Sequence, residues 1–242
     1  MTKLPPHIEF RDDMTVELVK ASASDSDVVW SARVSTLGDR SLEAIDADPA
    51  RSEGLIKFLM RERHSSPLEH ATFTFYVETP LFVMREIQRH RIASYNEESG
   101  RYKELKPVFY VPTRDRKLVQ IGKTGAYEFE QGSDEQFVHV INSLQVNAVE
   151  SFERYQFLLE QGVAKEVARM VLPLSIYSSV YITVNARALM NFLSLRTNRE
   201  DSRYPSKPQR EIEMVAEKME DIFAEHMPIV HKYFNEFGRV SP

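Results

Sequence analysis

The residues best suited to chemistry lie in one short polar stretch, Arg89 to Tyr102, which reads RHRIASYNEESGRY. Arginine presents a planar fork of N–H donors that matches phosphates, carboxylates and the carbonyl edges of pyrimidines and flavins. The stretch follows an apolar helical pattern and precedes an extended one, so both of its ends are anchored. Because polar side chains on an anchored turn are available to a ligand, we expect this stretch to bind a small anion.

The first part of the stretch holds Arg89, His90 and Arg91. At helical spacing these side chains are about 100° apart, so they would reach different ligands or different parts of one ligand. A structural alternative is that they compensate the negative end of a helix dipole and pair with Glu97 and Glu98. For an RHR tripeptide taken alone, this alternative is the better explanation.

The second part of the stretch is predicted to be turn-like. Its small polar residues are Ser94, Asn96, Ser99 and Gly100. Backbone N–H groups in such a segment can bind a phosphate, and glycine permits its close approach. Ser99 is not expected to be a nucleophile, because no neighbouring base gives it the context of a catalytic triad. The segment therefore predicts a nucleotide-binding pocket.

The composition excludes several classes of protein. The 242 residues are 42% apolar, enough for a buried core, and no apolar segment approaches the roughly 18 residues of a membrane span. We therefore expect a cytoplasmic protein with no membrane partner. The absence of cysteine excludes disulfides, thiolate metal sites and a cysteine nucleophile. A net charge of −5 argues against a nucleic-acid partner, because counterion release requires a basic surface.

A second polar segment, HSSPLEH, raises the question of a metal site. It contains His64, Glu69 and His70. This spacing matches no zinc-binding helix and no further ligand is apparent, so we expect no bound metal.

Hydrophobic periodicity and capping signals predict the elements that position these residues. In the first half they are a loose N-terminal arm (1–14), a strand from Thr15 to Ala21, a helix capped by Ser24, a helix opened by Asp48-Pro49 and reaching about Arg63, and a strand from Ala71 to Pro80. Thr79 and Pro80 are expected to cap a third helix that continues up to the RHR tripeptide, whose basic residues would end it.

The second half of the chain predicts a longer series of elements. The first are an extended segment from Lys103 to Pro112, a surface excursion from Thr113 to Gly132, and a long helix between a Ser133–Gln136 capping box and Gly162. A short helix before Pro173 and a strand from Ile176 to Val184 follow. The last are a helix from the Asn185 cap to Arg196, a polar loop to Pro208, and an amphipathic helix through Phe223. No repeat or linker interrupts them. We expect one α+β domain, a mixed sheet packed with long helices.

The polar stretch agrees with RHRxxSxNExSxRY at every specified position, and it resembles the signature of the flavin-dependent thymidylate synthases. HSSPLEHATFTF, EVARMVLP and VNARALMNFLSLR resemble further segments of this family. The resemblance implies methylation of dUMP at C5 without a cysteine nucleophile. It implies a one-carbon unit from 5,10-methylenetetrahydrofolate, FAD reduced by NADPH as the hydride carrier, and a homotetramer whose active sites are built from several subunits.

The resemblance also implies roles for individual residues. Arg196, Arg91 and His64 are expected to be catalytic. The residues expected to bind FAD or folate are Ser66, Glu69, Arg89, His90, Arg91, Glu97, Asn185, Arg187 and Asn191. The residues expected to bind dUMP are Glu86, Arg89, Glu97, Ser99, Gly100, Arg101, Arg169 and Arg196.

The chain departs from the family pattern at three places. Ser66 and Glu86 stand where relatives carry threonine and glutamine. The loop from Thr197 to Pro208 is longer than expected and lacks a histidine that some members place against the adenine side of FAD. The basic residues that could replace this histidine are Arg199, Arg203 and Lys207.

Two other functions remain open at this point. One is a non-catalytic nucleotide- or RNA-binding regulator, although the chain lacks basic residues interleaved with aromatic ones on a sheet face. The other is a nucleotide phosphohydrolase, which would need a carboxylate cluster for Mg²⁺ that we do not find at helical spacing.

Overall fold

A computed structural model describes residues 8–44, 49–123 and 126–242 of the chain, so Asp48 of the predicted Asp48-Pro49 helix start lies outside the described residues. The predicted mixture of helices and sheets is confirmed. Two compact units are present, and the single domain stays a prediction. The first unit comprises Met1–Met14, Glu78–Glu86 and Glu97–Ser179, and the second comprises Thr15–Val77, Ile87–Asn96 and Val180–Pro242. None of the described helices has the length and apolar character needed to cross a bilayer.

The elements are numbered in chain order. The strands are β1 (Glu9–Arg11), β2 (Thr15–Ser22), β3 (Thr72–Pro80), β4 (Ser94–Glu97), β5 (Val108–Tyr110), β6 (Val119–Lys123), β7 (Ala126–Glu130) and β8 (Tyr177–Asn185). The α-helices are α1 (Asp25–Leu37), α2 (Pro49–Arg61), α3 (Leu81–Ile87), α4 (Asp134–Glu160), α5 (Lys165–Ala168), α6 (Ala186–Arg196), α7 (Arg210–His226) and α8 (Pro228–Glu236). Short 3₁₀ segments occupy Gly38–Ala44, Ser66–Glu69 and Arg169–Val171.

The first unit is organised around α4, whose start is fixed by the predicted capping box. The Gln136 N–H donates to Ser133 Oγ at 3.1 Å, and the Ser133 N–H donates to Gln136 Oε1 at 2.8 Å. Two N–H groups that the helix cannot satisfy are thereby paired. Phe152 and Tyr155 on the inner face of α4 are buried and pack in one cluster with Phe109 of β5.

Two strand pairs of the first unit lie where the sequence predicted irregular structure. In the segment from Thr113 to Gly132, β6 and β7 form an antiparallel hairpin in which Val119 pairs with Glu130. In the predicted N-terminal arm, β1 pairs in parallel with β5. Both predictions were wrong because these strands have only three to five residues, too few for a decisive periodicity.

The second unit is built on a sheet with the strand order β2-β3-β8-β4, and the unit boundaries fall within β3, β4 and β8. Phe73, Phe75 and Val77 of β3 are fully buried, as their alternation with polar residues predicted. The Phe73 ring meets Phe223 of α7 edge to face, with 6.1 Å between ring centroids. The amphipathic spacing of α7 places its apolar face in this core.

The helix before the RHR tripeptide begins and ends differently from the prediction. Thr79 and Pro80 belong to β3, and the buried Thr79 hydroxyl lies 3.2 Å from Met14 Sδ instead of capping α3. The helix ends at Ile87. The Tyr95 hydroxyl lies 3.1 Å from the carbonyl oxygen of Ile87 and 2.6 Å from that of His90, and these contacts hold the chain in a turn after the helix. The RHR tripeptide therefore lies in the turn after α3. The first part of the predicted turn-like segment, which runs from Ser94 to Gly100, is the strand β4.

Candidate functional site

A cavity of about 760 Å³ opens in the second unit, within the roughly 300–1,000 Å³ range of small-molecule sites. All of its lining residues belong to that unit. They come from the segment after α2, the 3₁₀ segment Ser66–Glu69, the end of α3 and the turn after it, β4, β8, α6, α7 and the last two residues. The predicted site residues that line it are Glu69, Arg89, His90, Arg91, Asn185, Arg187, Asn191 and Arg196.

The cavity is strongly cationic. The charged side chains among the described residues that line it are five guanidinium groups and one carboxylate, namely Arg63, Arg89, Arg91, Arg187, Arg196 and Glu69. This excess of positive charge occurs in a chain whose net charge is −5. Because a concave, one-signed surface concentrates ions of the opposite sign, the cavity is suited to an anionic ligand.

Arg89 and Arg91 are available to that ligand. Neither guanidinium group forms a hydrogen bond or an ion pair with any residue that the structure describes. Glu98, a partner that the structural alternative required, pairs with Lys103 at 2.6 Å instead. These observations favour ligand binding over a structural role.

His90 is held as a neutral hydrogen-bonding group. Arg196 Nε donates to His90 Nε2 at 3.1 Å, and the His90 ring packs edge to face on Phe192 at 4.8 Å between centroids. Burial, and then the charge of Arg196, lower the pKa of His90 to about 4. Since Nε2 accepts a hydrogen bond, Nδ1 carries the proton. At neutral pH the imidazole is a donor through Nδ1.

The first turn of α6 fixes two further predicted residues. Asn185 Oδ1 accepts the N–H of Ala188 at 2.8 Å, which confirms the predicted N-cap. Arg187 Nη1 pairs with Glu69 at 2.6 Å, and its Nε donates to the Pro242 carbonyl at 3.0 Å. Arg187 is thus oriented along the cavity wall by contacts from two directions.

Most residues predicted to bind dUMP belong to the first unit, where they are Glu86, Glu97, Ser99, Gly100, Arg101 and Arg169. A Cβ atom on the buried Gly100 would lie 3.1 Å from Arg169 Cδ, so glycine permits Arg169 to approach. The Arg101 N–H donates to Ser99 Oγ at 3.3 Å, and the Arg101 side chain pairs with Glu166 at 2.8 Å. Ser99 therefore shapes a turn whose arginines can bind a phosphate.

The two glutamates of the polar stretch are held by β8. Ser178 Oγ donates to Glu97 Oε1 at 2.8 Å, and the Ser179 N–H donates to Glu98 Oε1 at 3.2 Å. Ser178 is almost fully buried. The sequence analysis did not identify this serine, because it stands within a strand pattern that has no polar motif.

Several predicted residues do not line the cavity. His64 packs its ring edge to face on Phe58, at 5.4 Å between centroids, and Ser66 begins a 3₁₀ segment. The three basic loop residues, Arg199, Arg203 and Lys207, are also absent from its walls. Within the described ranges there is no group of three or more His, Asp or Glu side chains that could hold a metal ion.

Besides apolar side chains, the cavity wall contains four residues that the sequence analysis did not identify. Arg63 follows α2, Tyr95 occupies an unspecified position of the motif, and Ser241 and Pro242 lie in the irregular segment after α8. Ser241 Oγ donates to the Arg187 carbonyl at 2.8 Å. Only Tyr95 carried a signal, its place within the motif. The others reach the cavity through tertiary contacts that no local pattern reveals.

Comparison with known proteins identifies the family of the chain. The sequence matches the family described as thymidylate synthase complementing protein over residues 17–229. The chain belongs to this family. The resemblance inferred from the polar stretch is therefore confirmed.

Relatives within the family are similar over nearly their whole length. A flavin-dependent thymidylate synthase from Streptomyces coelicolor is 55% identical over 246 residues, covering 100% of both chains. One from Tropheryma whipplei is 56% identical over 233 residues, covering 96% of this chain and 97% of the relative. The crystal structure of a UMP/dUMP methylase, PolB from Streptomyces cacaoi bound with 5-Br UMP, is similar with a TM-score of 0.90 and 52% identity, covering 98% of this chain and 100% of that one.

Proposed function

We propose that this member of the family methylates dUMP at C5 to give dTMP. The one-carbon donor is 5,10-methylenetetrahydrofolate, and FAD reduced by NADPH is the hydride carrier. One observation carries the proposal: a small-molecule cavity in an acidic chain presents five guanidinium groups, of which Arg89 and Arg91 have no partner among the described residues. The names of the relatives support the same activity.

The chemical groups that line the cavity suit a flavin. One part of its wall is apolar, with Ile87, Ile182, Val184, Leu189, Phe192 and Leu195. The rest presents the guanidinium groups, amides and imidazole described above. A flat ring system with an apolar face and a polar edge, joined to a diphosphate, requires this combination. Arg89, Arg91, Asn185, Arg187, Asn191 and Glu69 would hold it.

The residues of the cavity would contribute charge and orientation to the reaction. When bound, the reduced flavin supplies the hydride that completes the methyl group. Arg91 would stabilise negative charge at the polar edge of the ring, because preorganised charge in a water-poor site is worth more than in solution. Neutral His90 would donate a hydrogen bond through Nδ1. Arg196, fixed against His90, would polarise a uracil carbonyl in place of an attacking thiol.

The dUMP phosphate would be bound by the turn in the first unit. Its two negative charges suit Arg101 and Arg169 together with the backbone N–H groups near Ser99 and Gly100. The carboxylate of Glu166 now pairs with Arg101, and an incoming phosphate would replace it. The remaining proposed roles are nucleotide contact for Glu97 and Glu86 and folate-side roles for His64 and Ser66. We also propose a single cytoplasmic domain assembled as a homotetramer.

A direct assay tests the proposed activity. The purified protein is expected to show a flavin absorbance spectrum that NADPH bleaches, and to form dTMP from dUMP and methylenetetrahydrofolate, followed by chromatography. A colourless protein that cannot be reconstituted with FAD would contradict the proposal. FAD binding without turnover would instead indicate the regulatory alternative.

UMP is a second candidate substrate. A similar solved structure is described as a UMP/dUMP methylase, so the same assay should be run with UMP. Formation of methylated UMP at a comparable rate would widen the substrate class without changing the chemistry.

A further inference from the structure

Arg63 has a backbone conformation that residues other than glycine rarely adopt. Its φ angle is 61°. It directly follows the last turn of α2, which is closed by the Glu62 N–H to the Phe58 carbonyl and by the His64 N–H to the Leu59 carbonyl, both at 2.9 Å. A left-handed residue at this place in a helix terminus is usually glycine, because a Cβ atom is strained there. Arg63 therefore combines a strained backbone conformation with a long cationic side chain.

The contacts within the chain do not explain why arginine, and not glycine, stands at position 63. Arg63 Nη2 donates to the Ser241 carbonyl at 3.2 Å in an exposed position. An exposed hydrogen bond of this kind contributes little to stability. No carboxylate in the described ranges pairs with Arg63. Arg63 is among the residues that line the cationic cavity.

We propose that Arg63 binds a phosphate of the nucleotide cofactor that occupies this cavity. The inference rests on the proposed function, since it needs a phosphate-bearing ligand in the cavity. A guanidinium fork matches a phosphate, and strain in the backbone is retained at positions where it serves a ligand. FAD and NADPH share the diphosphate group, so the experiment must separate these two sources.

A structural role would give a different pattern on substitution. If Arg63 only tied the chain end through Ser241, removing its side chain would lower stability and leave intrinsic cofactor affinity unchanged. If it binds phosphate, glycine at this position relieves strain while removing the ligand contact. In Arg63→Gly, stability should then rise while cofactor affinity falls.

The experiment uses the full-length protein and four variants. Arg63→Ala and Arg63→Gly remove the side chain, and Arg63→Lys keeps the charge. Arg61→Ala is the matched control, because Arg61 is an exposed arginine two residues away that does not line the cavity. Flavin-free protein is titrated with FAD by flavin fluorescence, the KM for NADPH is measured with saturating FAD, and Tm is measured without ligand.

The expected result is roughly tenfold weaker FAD binding, or a roughly tenfold higher KM for NADPH, in both Arg63→Ala and Arg63→Gly. The first outcome assigns the phosphate to FAD and the second to NADPH. Arg63→Lys should retain part of the affinity, and Arg61→Ala all of it. Tm of Arg63→Gly should exceed that of Arg63→Ala by roughly 2–4 °C.

Unchanged affinity for FAD and unchanged KM for NADPH in Arg63→Ala and Arg63→Gly would overturn the inference. If the wild-type protein bound no FAD, the proposed function would fail first. The two failures are therefore distinguishable from the wild-type titration alone.

Discussion

At the scale of single residues, His90 and Arg196 constrain each other within the cavity. The acceptor at His90 Nε2 and the donor at Arg196 Nε fix each other's orientation at 3.1 Å. Protonation of His90 would place a second positive charge against Arg196. A neutral imidazole therefore gives Arg196 a partner without cancelling its charge, which the proposed polarisation of uracil needs.

This pair gives a prediction about the pKa of His90. The wild-type imidazole should titrate at a pKa of about 4, well below the ordinary value of 6.5, as followed by NMR of the ring protons. Arg196→Met should raise this pKa, because the opposing charge is removed while burial remains. Arg187→Met is the control, since Arg187 lines the same cavity and pairs with Glu69. A His90 pKa that is unaffected by Arg196→Met would contradict this account.

At the scale of elements, a buried ion pair fastens the end of the chain to α7. The side chains of Arg239 and Glu220 are 3% and 9% exposed. Arg239 donates to both oxygens of Glu220, at 2.6 and 2.9 Å, and Nη2 donates to the Thr197 hydroxyl. The segment beyond Arg239 then reaches the cavity wall. The ion pair thereby connects the packing of the helices with the shape of the site.

The pKa of Glu220 makes the stabilisation by the Arg239–Glu220 ion pair dependent on pH. Burial by itself raises the pKa of Glu220. Hydrogen bonds from His231 and Arg239, with the charges of Arg239 and Arg199, outweigh burial and lower the pKa to about 2. Because the folded-state value lies below the ordinary value of 4.5, the stabilisation is complete above about pH 4.5 and is lost as pH falls towards 2.

Glu220→Gln tests this dependence. At neutral pH the variant should be less stable by about 3 kcal/mol, because Arg239 is left buried without its counter-charge. Between pH 4.5 and 2 its stability should fall less steeply than that of the wild type. Chemical denaturation across this range measures both effects. Glu225→Gln, at an exposed position of the same helix, should change neither.

The elements that were predicted correctly carry their signals locally. The Ser133 capping box, the Ser24 and Asn185 caps and the alternation of Phe73, Phe75 and Val77 depend on neighbours in sequence, and all are confirmed. The end of α3 was wrong because a tertiary hydrogen bond from Tyr95 sets it. The hairpin of β6 and β7 was missed because its alternation is short and its register pairs the apolar Val119 and Ile121 with Glu130 and Glu128, so the two strands share no apolar face.

At the scale of the whole molecule, the polar stretch is divided between the two units. Arg89 to Asn96 belongs to the second unit and Glu97 to Tyr102 to the first. The sequence analysis identified both groups of residues through the family motif. It could not identify the cavity itself, because the wall combines segments separated by more than a hundred residues. Arg63 and the last residues of the chain reach the cavity only because the fold brings these distant segments together.

This division predicts that cofactor and substrate binding can be impaired separately. Arg91→Ala should lose FAD or its reduction by NADPH while dUMP affinity is retained. Arg101→Ala should raise the dUMP requirement roughly tenfold and leave the flavin spectrum unchanged, because it removes one charged contact to phosphate. Ser99→Ala should keep measurable dTMP formation, since Ser99 shapes a turn.

Equilibrium titrations with FAD and dUMP, together with dTMP formation, distinguish the three variants. An Arg101→Ala protein with unchanged dUMP affinity would contradict the phosphate assignment. Complete loss of turnover in Ser99→Ala with intact dUMP binding would contradict the positioning role of Ser99.

The left-handed backbone of Arg63 also limits how this protein can be improved by laboratory evolution. Libraries selected for heat resistance should enrich glycine at position 63, because it removes strain. Such selection would discard an arginine that contributes to cofactor retention. Ligand binding adds stability to the native state in proportion to the logarithm of its concentration relative to Kd. Selection at high temperature with the cofactor present would therefore favour cofactor affinity as well as an unstrained backbone, and would preserve the arginine.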